Sequence, residues 1–193
     1  PGVKPLNAAQ EAAVAGCLTR RLSLVQGPPG TAKTCTIAAI AWHAVRQGCG
    51  QLLVVAPSNT ATNRVAEVLQ QIGLRVVRVL PRSREADNMA LVTELRLEHH
   101  AREVDNDAAA AVAGLVRLQA ELGLTGPDER LLREAQDAVS SAAIRRADVV
   151  CCTTMMAGDP TIAQHTFKMV IVDEAAQATE PEVMVAISNG AEW

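Results

Sequence analysis

The sequence predicts an α/β fold in which a mostly parallel sheet is flanked by helices. Short apolar runs with the composition of buried strands recur along the chain, at residues 22–25, 51–56, 75–80, 147–154 and 167–172. Segments with the spacing of amphipathic helices lie between these runs, and strands that alternate with helices favour parallel pairing. A Gly- and Pro-rich turn follows the first run, and two acidic residues follow the last one.

The Gly- and Pro-rich turn has the sequence GPPGTAKT at residues 27–34. Strand, turn and helix in this order are the context of a phosphate-binding P-loop, whose backbone N–H groups and helix N-terminus attract phosphate oxygens. Lys33 is expected to reach the β- and γ-phosphates, and the Thr34 hydroxyl to ligand Mg²⁺. The sequence therefore predicts a P-loop NTPase whose nucleotide contacts come from Gly27, Pro28, Pro29, Gly30, Thr31, Ala32, Lys33 and Thr34.

Ala32 departs from the usual P-loop pattern, in which glycine precedes the lysine. A methyl group at this position is a small intrusion where φ is negative and a strained one where φ is positive. Some ATPases carry alanine here, so we expect the loop to remain able to bind nucleotide.

Asp173 and Glu174 follow four apolar residues, 169–172. A buried strand that ends in two carboxylates is the second half of a P-loop ATPase, the Walker B element. We expect Asp173 to hold Mg²⁺, directly or through water, and Glu174 to act as general base on the attacking water.

Small polar residues follow two other predicted strands. Pro57, Ser58 and Asn59 come after the second apolar run, and Thr153 lies at the end of the fourth. The carboxyl ends of strands form the ligand-bearing edge of an α/β sheet. Hydroxyl, amide and backbone N–H groups there suit contacts to phosphates of a single strand, although an ordinary N-capped loop has the same composition.

Composition limits the remaining possibilities. The chain has 193 residues and a net charge of −3, so any nucleic-acid contact must be confined to a local surface. With only three aromatic residues, the chain offers few side chains on which bases could stack. The five cysteines form no C-x-x-C pair, and no histidine lies at metal-ligand spacing, which indicates reduced, buried thiols. No signal peptide or membrane-spanning run is visible, and no membrane partner is expected.

Several stretches, taken together, resemble superfamily 1 helicases: Leu6-Asn7-x-x-Gln10, and residues 27–34 (GPPGTAKT), 56–65 (APSNTATNRV) and 172–182 (VDEAAQATEPE). The strings at 147–153 (ADVVCCT) and 177–182 (QATEPE) look like the up-frameshift helicases of nonsense-mediated mRNA decay. The resemblance covers the whole chain and is weakest across residues 83–143, where that family also carries a helical stalk.

The resemblance implies an ATP-dependent 5′-to-3′ helicase that acts on RNA, and often on DNA, through two RecA-like domains. By motif match, Gln10 would read adenine, and Lys33, Asp173 and Glu174 would serve hydrolysis. Gln177 would sense the γ-phosphate or couple it to the bound strand. Pro57, Ser58, Asn59 and Thr153 would lie along the nucleic-acid track. Single-stranded RNA, a second RecA-like domain and decay factors are the implied partners, in the cytoplasm or the nucleus.

The predicted organisation is a first RecA-like part at 1–82, a helical insertion at 83–146 and a second RecA-like part at 147–193. The chain begins with Pro1 and stops at Trp193 soon after the acidic motif, so we expect a fragment of a longer protein. Without the arginine fingers of a second domain, we expect such a fragment to bind nucleotide weakly and to hydrolyse it negligibly. A P-loop ATPase of another class, such as the AAA+ type, and a non-hydrolysing nucleotide-binding module remain alternatives.

Overall fold

A computed structural model describes residues 5–28, 30–80 and 126–190. Within these ranges, four strands form one parallel sheet in the order β2–β3–β1–β4. The strands are β1 (Leu52–Ala56), β2 (Val76–Arg78), β3 (Val149–Thr153) and β4 (Met169–Val172). The predicted α/β fold, a RecA-like parallel sheet flanked by helices, is confirmed.

Helices alternate with the strands. They are α1 (Ala8–Thr19), α2 (Lys33–Arg46), α3 (Asn59–Gln71), α4 (Gly126–Arg146), α5 (Pro160–Ala163) and α6 (Glu180–Ser188). Two short 3-10 turns, Met155–Gly158 and Ala175–Gln177, follow β3 and β4. Several of these elements therefore begin immediately beyond the carboxyl end of a strand.

Local side chains cap the starts of α1 and α3. Asn7 accepts a hydrogen bond from Gln10 N and Gln10 accepts one from Asn7 N, both at 2.9 Å, which forms a capping box at α1. Ser58 caps α3 by accepting a bond from Ala61 N at 3.1 Å. Such caps satisfy N–H groups that have no partner within the helix. The expected N-cap role of Asn7 is confirmed.

The sheet separates two apolar cores because successive strand residues face opposite sides. On one side, Leu52 and Val54 pack with α2 and α3. On the other, Leu53 and Val55 pack with Ile144 of α4 and with residues around α5 and α6. Every residue of β1 and β3 is buried, as expected of parallel strands covered on both faces.

The prediction of a strand at residues 22–25 is wrong. Leu22 and Leu24 are 73% and 92% exposed, and this segment belongs to no strand of the sheet. It runs along α1 instead, where Ser23 Oγ donates to Gly16 O at 3.4 Å. A run this short becomes a strand only by pairing with a sheet edge, and its backbone makes no such ladder. Apolar composition alone does not supply a pairing partner.

The other predicted strands are found, with shorter bounds. The run at 75–80 contributes only Val76–Arg78, and the run at 167–172 contributes Met169–Val172. Within the predicted helical insertion, Gly126–Arg146 is a single helix. The predictions for Pro29 and for residues 81–125, which include most of the insertion, lie outside the described residues.

An ion pair joins the sheet at its amino edge. Asp148 accepts bonds from Arg75 N at 2.9 Å and from the Arg75 guanidinium, whose closest approach is 2.5 Å. Burial by itself raises the pKa of Asp148, but the hydrogen bonds and charge of Arg75 outweigh it and hold the pKa below its usual value. Asp148 therefore stabilises the fold through its ionised form.

We expect Asp148→Asn to lower the free energy of unfolding at pH 7 by about 1 kcal/mol or less, since the Arg75 side chain is 71% exposed and solvent screens the pair. A lowered pKa in the folded state stabilises the protein above the unfolded-state pKa, which is about 4, and that contribution is lost as the pH falls through the folded pKa. Urea unfolding of both proteins across this range measures the difference. The difference in unfolding free energy should shrink with acidification, and a difference that is the same at every pH contradicts the role of the ionised carboxylate.

Candidate nucleotide and nucleic-acid site

The carboxyl ends of three strands are held side by side. Asp173 N donates to Val55 O at 2.8 Å, and Thr154 N donates to Ala56 O at 3.1 Å. These bonds continue the parallel ladders one residue past β4 and β3. The loops after β1, β3 and β4 therefore emerge together. Ser58 and Asp173 lie on two of these loops, and Thr153 is the last residue of β3.

The P-loop precedes α2, which begins at Lys33 itself. Lys33 Nζ donates to the carbonyl oxygens of Gly27 at 3.0 Å and of Pro28 at 3.3 Å. The Thr31 hydroxyl also donates to Pro28 O, at 2.7 Å. The ammonium group thus already binds oxygen acceptors of its own loop, which is the chemistry that phosphate oxygens would offer it.

Two positions of this loop have special backbone requirements. A Cβ atom at Gly27 would lie 2.7 Å from Thr31 Oγ1, closer than real Cβ contacts, so a side chain there would force the Thr31 hydroxyl to shift from its bond to Pro28 O. Ala32 has φ 55° and ψ 42°, the left-handed conformation. An L-residue with a side chain is strained in that region. The sequence left open whether φ at Ala32 is negative or positive. It is positive, so the methyl group is strained.

Gln10 connects the start of α1 to the P-loop. Its Oε1 accepts from Asn7 N, and its Nε2 donates to Thr31 O at 3.1 Å. One lone pair and one N–H of the amide are thereby engaged, and the second of each remains for a ligand. The structure places Gln10 against the nucleotide loop, and its adenine-reading role stays a prediction.

The acidic pair lies just beyond β4. Asp173 is 8% exposed and its Oδ1 accepts a bond from Glu174 N at 2.9 Å. Glu174 is exposed and has φ 53°, a left-handed conformation that is uncommon outside glycine and concentrates at functional sites. Gln177 ends the short 3-10 turn that follows and is also exposed.

The P-loop and the acidic pair make their hydrogen bonds separately in the part of the chain that the structure describes. Among the described residues, no hydrogen bond or ion pair joins Lys33 or Thr34 to Asp173. Nor do these residues contain a group of three or more His, Cys, Asp or Glu side chains that could hold a metal ion. Mg²⁺ in nucleotide sites is held by one or two protein oxygens together with phosphates, so the donors Thr34 and Asp173 fit that ion.

The predicted nucleic-acid residues are partly occupied by structural bonds. Ser58 caps α3, and Thr153 Oγ1 accepts from Met156 N at 3.4 Å. Asn59 Oδ1 accepts from Arg78 Nη2 at 2.8 Å. Pro57 is half-buried directly after β1. The structure brings these side chains to one edge of the sheet, and their contact with nucleic acid stays a prediction.

Sequence reasoning missed one buried polar side chain near this edge, Arg78. Arg78 in β2 is fully buried, and burial lowers the pKa of its guanidinium below the usual value. The Thr154 hydroxyl is buried and has no hydrogen-bond partner among the described residues. The signal for Arg78 is an arginine inside the apolar run RVVRVL, since a charge buried in a strand requires partners.

The neighbouring Cys151 and Cys152 are inert, because burial raises the pKa of each thiol to about 12.

Comparison with known proteins decides the family. A family model described as an AAA domain matches residues 5–123 and 127–192. The chain belongs to this family. It is 41% identical over 191 residues to the regulator of nonsense transcripts 1 homolog of Arabidopsis thaliana, covering 98% of this chain and 15% of that protein.

Other relatives carry similar names. The chain is 40% identical to the regulator of nonsense transcripts 1 homolog of Neurospora crassa, covering 98% of this chain and 17% of that protein. It is 39% identical to the ATP-dependent helicase upf1 of Schizosaccharomyces pombe, covering 99% and 21% respectively. The resemblance to the up-frameshift helicases is therefore confirmed, and the chain spans about a fifth or less of the length of these relatives.

The helices in the described part of the chain are short or polar. None of them combines the length and the hydrophobicity that crossing a bilayer requires.

We expect Ala32→Gly to raise the free energy of unfolding by about 0.5–1 kcal/mol, because relief of left-handed strain exceeds the entropy that glycine adds to the unfolded chain. Chemical denaturation of both proteins measures the change. The matched control is Ala12→Gly, an exposed position inside α1, which should lower stability by about 1 kcal/mol. If Ala32→Gly destabilises like the control, the strain at this position is absent.

Proposed function

We propose that this chain is the nucleotide-binding part of an ATP-dependent 5′-to-3′ helicase that works on single-stranded RNA in mRNA decay. The observation that carries the proposal is the joint position of Asp173 and the loop after β1 at one sheet edge, in a chain whose helix α2 opens with the P-loop lysine. Relatives named ATP-dependent helicases, aligned over nearly all of this chain, support it against a P-loop ATPase of another class.

Lys33 and the P-loop backbone bind the nucleotide phosphates in this proposal. The Lys33 ammonium exchanges the carbonyl oxygens of Gly27 and Pro28 for phosphate oxygens, which are stronger, charged acceptors. Gln10 turns its remaining N–H and lone pair to the adenine edge, which favours ATP over GTP. Because Gln10 also bonds Thr31 O, base recognition and loop conformation are linked.

Asp173, Thr34 and Glu174 serve the hydrolytic chemistry. Thr34 and Asp173 hold Mg²⁺, which offsets the phosphate charge when it is bound. Glu174 takes a proton from the attacking water, and its exposure leaves the carboxylate accessible to that water. Gln177, at the end of the next turn, senses the γ-phosphate in this proposal or couples it to the bound strand.

Pro57, Ser58, Asn59 and Thr153 form the nucleic-acid track at the same edge. Contacts from backbone N–H, hydroxyl and amide groups address the sugar–phosphate chain and carry no base sequence. Single-stranded RNA is the proposed substrate and DNA the second candidate. A second RecA-like domain completes the site from the open side of the edge, decay factors are the proposed partners, and the cytoplasm is the proposed location, with the nucleus as the alternative.

Lys33→Ala should abolish saturable binding of fluorescent ADP with Mg²⁺, since the phosphates lose their charged donor. Fluorescence titration of the chain measures it. The control Lys168→Ala removes the same charge next to β4 at the opposite, amino edge, and should bind as the unaltered chain does. Equal affinity of all three proteins contradicts the assignment of the P-loop.

Removal of Mg²⁺ with a chelator should weaken ADP binding by the unaltered chain, because the metal offsets phosphate charge. In Asp173→Asn the same treatment should make little difference, since the carboxylate that holds the ion is gone. Titrations with and without the chelator give the ADP affinity of each protein in the presence and absence of Mg²⁺. The charge-matched control is Glu180→Gln, a change at an exposed acidic residue of α6. A Mg²⁺ dependence that survives in Asp173→Asn removes Asp173 from the metal site.

A further inference from the structure

Arg78 is a buried cation within the sheet. Its side chain is fully buried between β2 and the first two turns of α3, and its hydrogen-bond partners there are neutral. Nε donates to Asn63 Oδ1 at 3.0 Å, and Nη2 donates to Asn59 Oδ1 at 2.8 Å. Nη1 donates to Val79 O and to Cys151 O. The guanidinium is thus held at three of its corners by fixed acceptors.

These contacts fix the orientation of two side-chain amides. A guanidinium only donates, so each asparagine must turn its Oδ1 inward, and each Nδ2 is directed away from Arg78. Asn59 Nδ2 makes no hydrogen bond to the described residues, and Asn59 itself is half-buried. An asparagine that can rotate freely at the surface exposes either its oxygen or its nitrogen to a ligand. Asn59 has its oxygen bound to Arg78 and therefore exposes the two N–H donors of Nδ2.

The oriented amide lies on the predicted nucleic-acid track. Asn59 is the first residue of α3, immediately after the cap Ser58 and the end of β1. Arg78 pairs in register with Cys151, two residues before Thr153. Phosphate oxygens only accept hydrogen bonds, so an amide that always turns its N–H groups outward suits them, and the buried positive charge favours the same ligand.

We propose that Arg78 is a positioning residue for nucleic-acid binding: it orients Asn59 so that Nδ2 donates to a phosphate of the bound strand, with Asn63 as the second fixed acceptor. This inference rests on the proposed function and deepens it. In this role Arg78 acts through Asn59 and does not itself donate to the phosphate. Burying a charge costs free energy unless it is hydrogen-bonded, so stability alone does not explain an arginine here. The consequence that its contacts show is the fixed orientation of the two amides.

A double-mutant cycle tests the coupling. The anisotropy of a short fluorescent oligouridylate is titrated with the unaltered 193-residue chain, Asn59→Ala, Arg78→Met and the double variant, with thermal unfolding as the check on folding. Asn59→Ala should weaken binding about tenfold, the effect of one hydrogen bond to a charged group. Arg78→Met should cost a similar factor, and the double variant should be no worse than either single one. Additive losses overturn the proposal.

Asn59→Asp separates orientation from stability. The substituted carboxylate would still accept from Arg78, with a counter-charge, so the melting temperature should hold or rise while oligouridylate binding falls at least about tenfold. Gln71→Glu, an exposed change of the same charge at the far end of α3, should change binding less than about twofold. If Asn59→Asp binds as tightly as Gln71→Glu, Asn59 does not donate to phosphate and the inference is wrong.

The remaining outcomes separate this inference from the function beneath it. If the unaltered chain binds ADP and no oligouridylate, the proposed nucleic-acid role fails, and the inference fails with it. If the unaltered chain binds oligouridylate and the Arg78 variants bind equally well, only the inference fails. Should Arg78→Met not fold, Arg78→Lys completes the cycle, since a lysine keeps the charge but cannot hold both amides in the planar fork of a guanidinium.

Discussion

Parallel pairing of β1 with both β3 and β4 is the constraint on which the site depends. The two ladders are in register, so Val55 lies opposite both Cys152 and Val172, and the strands end at one level. The hydrogen bond from Asp173 N to Val55 O extends this register by one residue and so positions the Asp173 carboxylate of the candidate site. Burial of β1 on both faces makes a slip costly, since a shift by one residue would exchange the two apolar cores. The functional edge is thus set by the packing of the sheet.

The carbonyl oxygens of the P-loop accept hydrogen bonds from the loop's own lysine. Lys33, Thr31 and Gln10 all bond to carbonyl oxygens of the loop, and Ala32 accepts a left-handed backbone to close the turn. In the proposed function, phosphate oxygens would replace these carbonyl acceptors of Lys33. Nucleotide affinity would then depend on the difference between a neutral carbonyl acceptor and a charged phosphate acceptor.

The charged side chains of the sheet have different roles at its two edges. Arg75 and Asp148 join the amino edge near the solvent, and Arg78 lies buried at the end of β2, under α3. The exposed pair contributes through its ionised carboxylate. The buried cation holds two asparagine amides instead, so the same short segment closes one edge of the sheet and orients a side chain at the other.

The sequence by itself determined the fold class and the Asn7 cap, and it predicted the chemistry of the site, because those depend on short-range pattern: the P-loop at 27–34, the cap before α1, and the acids after 169–172. Only the tertiary structure decided what the apolar run at 22–25 does, since a strand needs a partner edge and this segment lies along α1. The Arg78–Asn59 contact was equally invisible, because it joins residues of different elements across the core. Local sequence encodes propensity and chemistry, whereas register and burial arise only when distant segments pack together.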